Sequence, residues 1–113
     1  MPTLYAKIAG GNWSAAGTWS TTGSGGADNS GPPTSANDVI FELGSGNVTV
    51  DVGTQRSAKS LSCIAGTGDY IGILTHNANT LVVSGNITFS SGMTYTAVSS
   101  SAIIQVNGTG TIT

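Results

Sequence analysis

Five carboxylates are the residues of this chain whose type could support hydrolytic chemistry. Glycoside hydrolysis needs two carboxyl groups that face each other across the bond to be cleaved. Asp38 and Glu42 lie on one face of a predicted strand, but the strand rise places them about 13 Å apart, too far for a catalytic pair without partners from elsewhere. The sequence therefore predicts surface or turn-capping roles for all five acids: Asp28, Asp38, Glu42, Asp51 and Asp69.

His76 and Cys63 are the candidates for nucleophilic chemistry. His76 stands in a turn-like segment, residues 75–79, and no Gly-x-Ser-x-Gly elbow accompanies it, which predicts an exposed turn histidine and no Ser/His/acid triad. Cys63 belongs to an apolar run, residues 61–64, and this context predicts a small buried residue and not a reactive thiol. As the single cysteine, it excludes a disulfide within the chain.

Metal and cofactor binding have little support in the sequence. A structural zinc site needs about four ligands, and only Cys63 and His76 are soft donors. Calcium could be bound near residues 28–29 or 37–38 through side-chain and backbone oxygens, but neither stretch has the acid density of a dedicated loop. The sequence predicts no metal site, no cofactor and no catalytic residue.

Two tryptophans stand in a repeated Gly-x-Trp-Ser pattern near the N-terminus, Trp13 and Trp19. Large aromatic side chains in a glycine-rich segment must be buried somewhere, and the first interpretation is that they plug one end of the strand stack described below. The alternative is a platform on which a sugar ring stacks, with Tyr95 as a third stacking residue.

Charge excludes several classes of partner. Charged residues are 7% of the chain, against about 25% in an average soluble domain, and the formal net charge is −2. Lys7, Arg56 and Lys59 cannot form the dense basic face that nucleic acid or an anionic membrane surface requires. The polar surface must come mostly from Ser, Thr and Asn, and so weakly repulsive a surface favours self-association.

Short β-branched runs with alternating apolar and polar residues fill the chain from Val39 to Thr113 and predict an all-β fold. We expect one domain, residues 1–113, with an N-terminal cap and long loop over 1–37 and a strand stack over 38–113. Leu61 and Leu81 are 20 residues apart, and Ile104 follows Leu81 by 23, which suggests stacked coils of a β-solenoid. An antiparallel β-sandwich is the alternative.

The stacked core of this solenoid is predicted to contain pairs of inward-facing residues. The segment between the second and third strong strands, residues 53–59, is predicted to be a loop or a single helical turn. The runs that begin at Asp38 and Val48 are expected to form a hairpin or two adjacent sides of a coil. The predicted core pairs are Leu61/Cys63, Ile71/Ile73, Leu81/Val83, Ile87/Phe89 and Ile104/Val106.

A long loop rich in turn dipeptides separates the N-terminal segment from the strand stack, over residues 21–37. Loops of this length in a compact domain usually have a functional or interfacial role. The loop is therefore a candidate subunit interface, together with the two tryptophan segments. Its candidate contact residues are Asp28, Asn29, Pro32 and Pro33.

A family resemblance rests on five segments: Tyr5–Lys7, Gly11–Ser20, Asp38–Phe41, Val48–Asp51 and Leu81–Asn86. Together they resemble the N-terminal part of phage virion proteins with β-helical character, and the first coils of bacterial surface and secreted β-helix proteins. The resemblance implies a structural or adhesive role, such as head decoration, fibre, tail spike or surface adhesin. Spikes of this type can cleave polysaccharide, but the acid clusters that do so have no counterpart in this sequence.

The sequence thus leads to a function class. No signal-peptide-like apolar segment opens the chain and none reaches the roughly 20 residues of a membrane span, which suggests a virion protein made in a host cytoplasm, or a fragment. We expect a non-enzymatic phage structural protein of the decoration or fibre type that forms homo-oligomers, a trimer among them, and contacts capsid or tail proteins. The alternative is an extracellular or cell-surface carbohydrate-binding or adhesin module that binds a glycan, and a third interpretation is a hydrolase.

Overall fold

The computed structural model describes residues 3–29, 31–107 and 110–113. Its regular elements are short strands and one single-turn 3₁₀ helix, which confirms an all-β chain. They are β1 (Thr3–Ala6), β2 (Gly11–Asn12), the 3₁₀ helix (Ala16–Thr18), β3 (Trp19–Ser20), β4 (Asp38–Ile40), β5 (Val48–Val50), β6 (Arg56–Ala58), β7 (Ser60–Ser62), β8 (Ile73–His76), β9 (Thr80–Val83), β10 (Ile87–Thr88), β11 (Thr94–Ala97) and β12 (Ile103–Val106).

From β4 onward, successive strands join three different sheets in turn, whereas β3 returns to the first sheet beside β1. The first sheet has the order β10-β7-β4-β1-β3, the second β11-β8-β5-β2 and the third β12-β9-β6. Three consecutive strands, such as β7, β8 and β9, therefore form one layer, and the next three lie above them. Within the described ranges every pairing between these strands is parallel except that of β1 with β3. The antiparallel β-sandwich does not fit this pairing, because it requires antiparallel neighbours.

The register corrects the predicted spacing of the layers. Leu61 pairs with Val39 and Ile87 in the first sheet, so its stacking partners are 22 residues before it and 26 after it. Leu81 lies in the third sheet, and the prediction that it stacks on Leu61 is wrong. The pairing of Leu81 with Ile104, 23 residues later, agrees with the second spacing seen in the sequence.

Side chains that point inward from the three sheets form one core, and the structure corrects one of its predicted pairs. Leu61, Cys63, Leu81, Val83 and Ile87 are buried as predicted, and Phe89, Ile104 and Val106 pack against them from partly buried positions. Ile71 and Ile73 are 64% and 42% exposed. Strand β8 begins at Ile73 with an outward side chain, so the alternation along the strand turns Leu74 inward instead.

Two local predictions between the strong strands change. Residues 53–59 contain strand β6, which pairs in parallel with β9 and buries Ala58, in place of the expected loop or helical turn. Strands β4 and β5 belong to different sheets, so of the two expectations for this pair the adjacent sides of a coil fit and the hairpin does not.

The N-terminal end of the stack is closed by an aromatic cluster, Trp13, Trp19, Phe41 and Tyr70, all buried. The two indoles meet edge to face with ring centroids 4.8 Å apart, and the Phe41 ring lies 5.9 Å from Trp19 and 5.0 Å from Tyr70. Strand β3 pairs antiparallel with the outer edge of β1. This arrangement agrees with the interpretation that the tryptophans plug one end of the stack.

Candidate functional site

The three predicted sugar-stacking residues have packing partners within the protein. Trp13 and Trp19 are 0% exposed, so neither ring offers a face to a sugar in this structure, and the stacking platform that the sequence suggested is not formed by them. Tyr95 is partly buried, and its ring stacks on Phe89 with centroids 5.5 Å apart. Its hydroxyl lies 2.6 Å from His76 Nδ1.

Asp38 and Asp51 each have a hydroxyl partner from a neighbouring segment. Ser60 Oγ donates to the carboxylate of Asp38 at 2.6 Å. Asp51 accepts hydrogen bonds from the Ser14 backbone N–H at 3.0 Å and from Ser14 Oγ at 2.5 Å, and Arg56 forms an ion pair with it at 3.1 Å. Burial alone would raise the pKa of Asp51, but these partners outweigh burial and hold its pKa below the ordinary value. Both acids therefore have structural roles that hold adjacent segments together.

Glu42 is a buried carboxylate residue with 3% exposure. The backbone N–H groups of Ser24 and Thr67 donate to its two oxygens at 2.8 and 3.1 Å. Burial would raise the pKa of Glu42, but the hydrogen bonds from Ser24 and Thr67 together lower it. A glycosidase's general acid needs a raised pKa, so Glu42 is unsuited to that role.

The structure also brings Glu42 close to Asp69, which the sequence did not predict. The two residues form an isolated antiparallel backbone bridge, whereas Asp38 is engaged with Ser60 elsewhere. Of Asp38, Glu42 and Asp69, the structure therefore brings only the backbones of the last two together. Glu42 is held in its ionised form by backbone donors, so it cannot be the proton donor of such a pair.

An open pocket of about 510 Å³ lies beside the Glu42 carboxylate. Glycine backbone, hydroxyl groups and one phenol ring form its walls, so it offers hydrogen-bond partners and a single aromatic face. Such a lining suits a neutral polar ligand such as a saccharide. The lining residues are Tyr5, Thr22, Gly23, Ser24, Gly25, Gly26, Glu42, Gly66 and Thr67.

Sequence reasoning missed this pocket because its walls come from distant parts of the chain. Glu42 is 18 residues from Ser24 and 25 from Thr67, and no short motif spans these distances. The available signal was the excess of glycine in residues 23–26 and 66–68. At Gly66 the φ angle is +77° and an added Cβ would lie 2.9 Å from Glu42 Cβ, so only glycine lets the backbone approach this acid.

His76 is buried in strand β8, and the prediction of an exposed turn histidine is wrong. Its Nε2 lies 2.8 Å from the Asn79 carbonyl oxygen. A carbonyl can only accept, so Nε2 carries the proton and Nδ1 accepts a hydrogen bond from the Tyr95 hydroxyl. Burial lowers the pKa of His76, an effect partly opposed by the Asn79 carbonyl, and the imidazole is neutral.

Replacing this histidine should change the pH dependence of stability. The unfolded chain binds the His76 proton more tightly than the folded protein, so the free energy of unfolding of the native sequence falls as pH drops below about 6.5. His76→Gln cannot titrate, so its stability deficit relative to the native sequence should shrink between about pH 8 and about pH 5. Protonation of Glu42 and Asp51 also lowers the free energy of unfolding in acid, but by the same amount in both proteins.

Urea unfolding at several pH values measures this difference. His76 is the single histidine of the chain, so the difference between the two pH profiles reports one group. Two parallel profiles would show that His76 takes up its proton as readily in the folded protein as in the unfolded chain.

Cys63 behaves as the sequence predicts, as a buried core residue. Burial raises the pKa of its thiol to about 12. Because the thiolate is the reactive form, we expect a thiol reagent to modify Cys63 only as fast as the protein unfolds. Reaction of the folded protein as fast as the denatured chain would contradict this burial.

The predicted interface loop contacts the rest of the protein through its middle. Asp28 forms an ion pair with Lys7, and the Asn29 backbone N–H donates to the Trp19 carbonyl oxygen at 2.8 Å. Pro32 is exposed, whereas Pro33 is buried. The role of these four residues in a subunit contact stays a prediction.

Comparisons with known proteins add no family to this picture: no protein-family model, no curated protein and no solved structure matches the chain significantly. In the described ranges no three His, Cys, Asp or Glu side chains gather in a way that could hold a metal ion. No helix among these residues has the length and apolar character to cross a bilayer.

Proposed function

We propose that this chain is a short β-solenoid that serves as a non-enzymatic structural protein of a bacteriophage virion, of the decoration or fibre type. The solenoid part of the proposal is supported by the strands from β4 onward, which pass through three sheets in a fixed order and pair in parallel with the layer below. A single layer cannot bury its own aliphatic side chains, so stability comes from stacking.

The observation that carries the assembly role is the outer surface. Several large aliphatic side chains are exposed to solvent. The chain has only eight Asp, Glu, Lys and Arg residues, five acidic and three basic. Solvent-facing aliphatics among hydroxyl groups with few charges suit contact with other protein surfaces, since few ions must be desolvated. The exposed residues are Ile8, Leu43, Val52, Ile64, Ile71, Ile73, Val98, Ile103 and Ile112.

The acids support a non-enzymatic role. Asp28, Asp38, Asp51 and Glu42 are each engaged by a partner within the chain. A catalytic acid must be free to exchange a proton with substrate, and acids that serve as acceptors for backbone and hydroxyl donors hold the fold together instead.

Immunogold electron microscopy with an antibody against the purified protein tests the virion role. The expected result is labelling at regular positions on the heads or tails of phage particles from the source culture. Labelling of cell envelopes alone, with bare particles, would refute the virion role and support the cell-surface alternative.

A carbohydrate-binding or adhesin module is the second candidate, and the open pocket beside Glu42 favours it. Tyr5 supplies the aromatic face there, a role that the buried tryptophans cannot fill. A glycan array with the native sequence tests this candidate, with Tyr5→Ala as the variant that removes the face and Tyr95→Ala as a control outside the pocket. An array without binding, or binding that survives Tyr5→Ala, would eliminate the pocket as a glycan site.

A further inference from the structure

Glu42 is a buried carboxylate that is ionised but has no cation beside it. The groups that hold it are neutral donors, namely the backbone N–H groups and the hydroxyls of Ser24 and Thr67. The ion pairs in the described part of the chain lie elsewhere: Lys7 with Asp28, and Arg56 with Asp51. Because buried charges in proteins are ordinarily paired with an opposite charge, Glu42 is a natural partner for a cation that comes from outside the chain.

The open pocket gives a small molecule access to this charge. Its volume of about 510 Å³ lies within the range of ordinary small-molecule sites, about 300–1,000 Å³. Two glycines of its lining flank the carboxylate oxygens. A Cβ at Gly23 would lie 3.8 Å from Glu42 Oε2, and a Cβ at Gly66 would overlap Oε1. Since neither residue has a side chain, none from these two positions can cover the oxygens.

The walls of the pocket offer no positive charge to balance the carboxylate. Among the described residues that line it, Glu42 is the charged one, and the others are glycines, hydroxyl residues and Tyr5. Asp69, a second acidic residue, is joined to Glu42 by a backbone bridge. An anionic ligand is therefore repelled from this pocket, and a cationic group is attracted to it.

An ammonium group suits these walls better than a metal ion. Its three N–H donors can bond the carboxylate and the hydroxyls of Ser24 and Thr67, because a hydroxyl can turn and accept. The Tyr5 ring adds the attraction of an aromatic face for a cation. Calcium would need about six to eight oxygen ligands, several of them carboxylates, and no three acids gather within the described ranges.

We propose that this pocket binds an amino sugar, a pyranose ring whose protonated primary amine pairs with Glu42. The inference rests on the carbohydrate-binding candidate above and names its ligand class. The lining alone suits any saccharide, since ring hydroxyls can bond the hydroxyls and glycine backbone of the walls while the apolar ring face lies on Tyr5. The carboxylate selects among saccharides, because a neutral sugar brings no countercharge and an acidic sugar brings a second negative charge.

Four ligands that share one pyranose ring test the role of the charge: glucosamine, N-acetylglucosamine, glucose and glucuronic acid. Binding is followed by amide chemical shifts in NMR spectra at about pH 6.5, where Glu42 and the amine of glucosamine are both charged. We expect glucosamine to bind at least about tenfold more tightly than glucose or N-acetylglucosamine, since charge-assisted hydrogen bonds are roughly twice as strong as neutral ones. Glucuronic acid should bind most weakly, and the shifts should centre on residues 22–26 and 66–67.

A change of pH removes the charge from the ligand alone. At about pH 9 most of an amine with a pKa near that of an α-amino group, about 8, is neutral, whereas Glu42 stays ionised. The preference for glucosamine over glucose should then fall to about twofold or less. This measurement uses the native sequence, so it remains decisive if a variant fails to fold. A tenfold preference that persists at about pH 9 would overturn the inference.

Glu42→Gln tests the carboxylate itself, with Asp38→Asn as the matched control. Both substitutions remove one negative charge, but Asp38 is bonded to Ser60 and does not line the pocket. We expect Glu42→Gln to bind glucosamine and glucose alike, and Asp38→Asn to keep the native preference. Circular dichroism shows whether each variant is folded. A folded Glu42→Gln protein with the native preference would overturn the pairing.

The remaining outcomes separate this inference from the proposed functions. Equal binding of glucosamine and glucose by the native sequence would overturn the amino sugar and leave the carbohydrate-binding candidate standing. Binding of Nα-acetyl-lysine amide without any of the four sugars would overturn the saccharide and indicate an ammonium group from a protein. No binding of any ligand would also overturn the inference, and the glycan array then decides whether a larger saccharide occupies the pocket. The virion role is tested separately, by particle labelling.

Discussion

Trp19→Ala is expected to lower the free energy of unfolding by about 3–5 kcal/mol. The Trp19 ring is fully buried and touches Trp13 and Phe41 at centroid distances of 4.8 and 5.9 Å, so truncation leaves a cavity at the closed end of the stack. The variant also loses the hydrogen bond from Trp19 Nε1 to the Trp13 carbonyl oxygen at 2.9 Å. Urea unfolding followed by circular dichroism measures the loss.

Phenylalanine variants separate the two contributions of this cluster. Trp19→Phe keeps an aromatic ring but leaves the Trp13 carbonyl without its indole donor. Trp13 Nε1 is buried and has no hydrogen-bond partner among the described residues, so Trp13→Phe removes a polar group that makes no bond. Trp19→Phe should therefore cost more than Trp13→Phe, by about 1 kcal/mol. Equal losses would show that the indole hydrogen bond contributes nothing.

An exposed aliphatic residue provides the control for truncation. Ile8 is 64% exposed, so Ile8→Ala should change the free energy of unfolding by less than about 0.5 kcal/mol. If Trp19→Ala were as mild as Ile8→Ala, the aromatic cluster would not hold the cap together.

The sequence predicted where the strands lie better than it predicted which strands pair between successive layers. Alternation of apolar and polar residues is the same in all three sheets, so it locates a strand without saying which sheet the strand joins. Leu61 and Leu81 look equivalent by this criterion, but one lies in β7 and the other in β9 of the same layer. From β4 onward the connections between strands have unequal lengths, from one residue between β6 and β7 to ten between β7 and β8, so no single period fits them.

His76 shows where local composition misleads. Its neighbours Asn77 and Asn79 suggest a turn, and histidine is usually exposed in turns. The two-residue alternation from Leu74 nevertheless places His76 on the inward face, and this signal was present in the sequence. Burial of the imidazole is tolerated because Tyr95 and Asn79 supply its two hydrogen bonds. Tyr95 is 19 residues from His76, and sequence spacing does not reveal this partner.

Gly10→Ala should destabilise the protein by at least about 3 kcal/mol, because two separate effects act at this position. Gly10 has a φ of +64°, and a non-glycine residue in this left-handed region costs roughly 1–2 kcal/mol. An added Cβ would also overlap the Asn47 carbonyl oxygen and lie 2.9 Å from the Asn47 nitrogen. Both atoms belong to the backbone, so no side-chain rotation relieves the contact.

Gly31→Ala is the matched control, since a Cβ at Gly31 meets no atom within 4 Å. It should be neutral, or stabilising by about 0.4–1 kcal/mol through a less flexible unfolded chain. Thermal and urea unfolding of both variants gives the comparison. The Asn47 carbonyl oxygen also accepts a hydrogen bond from the Gly11 N–H at 3.0 Å. If the added methyl group displaced this backbone, the hydrogen bond between the first two layers would be lost. If Gly10→Ala were as stable as Gly31→Ala, Gly10 would not pack against the Asn47 backbone as described. The evidence that the first two layers stack on each other would then be weaker.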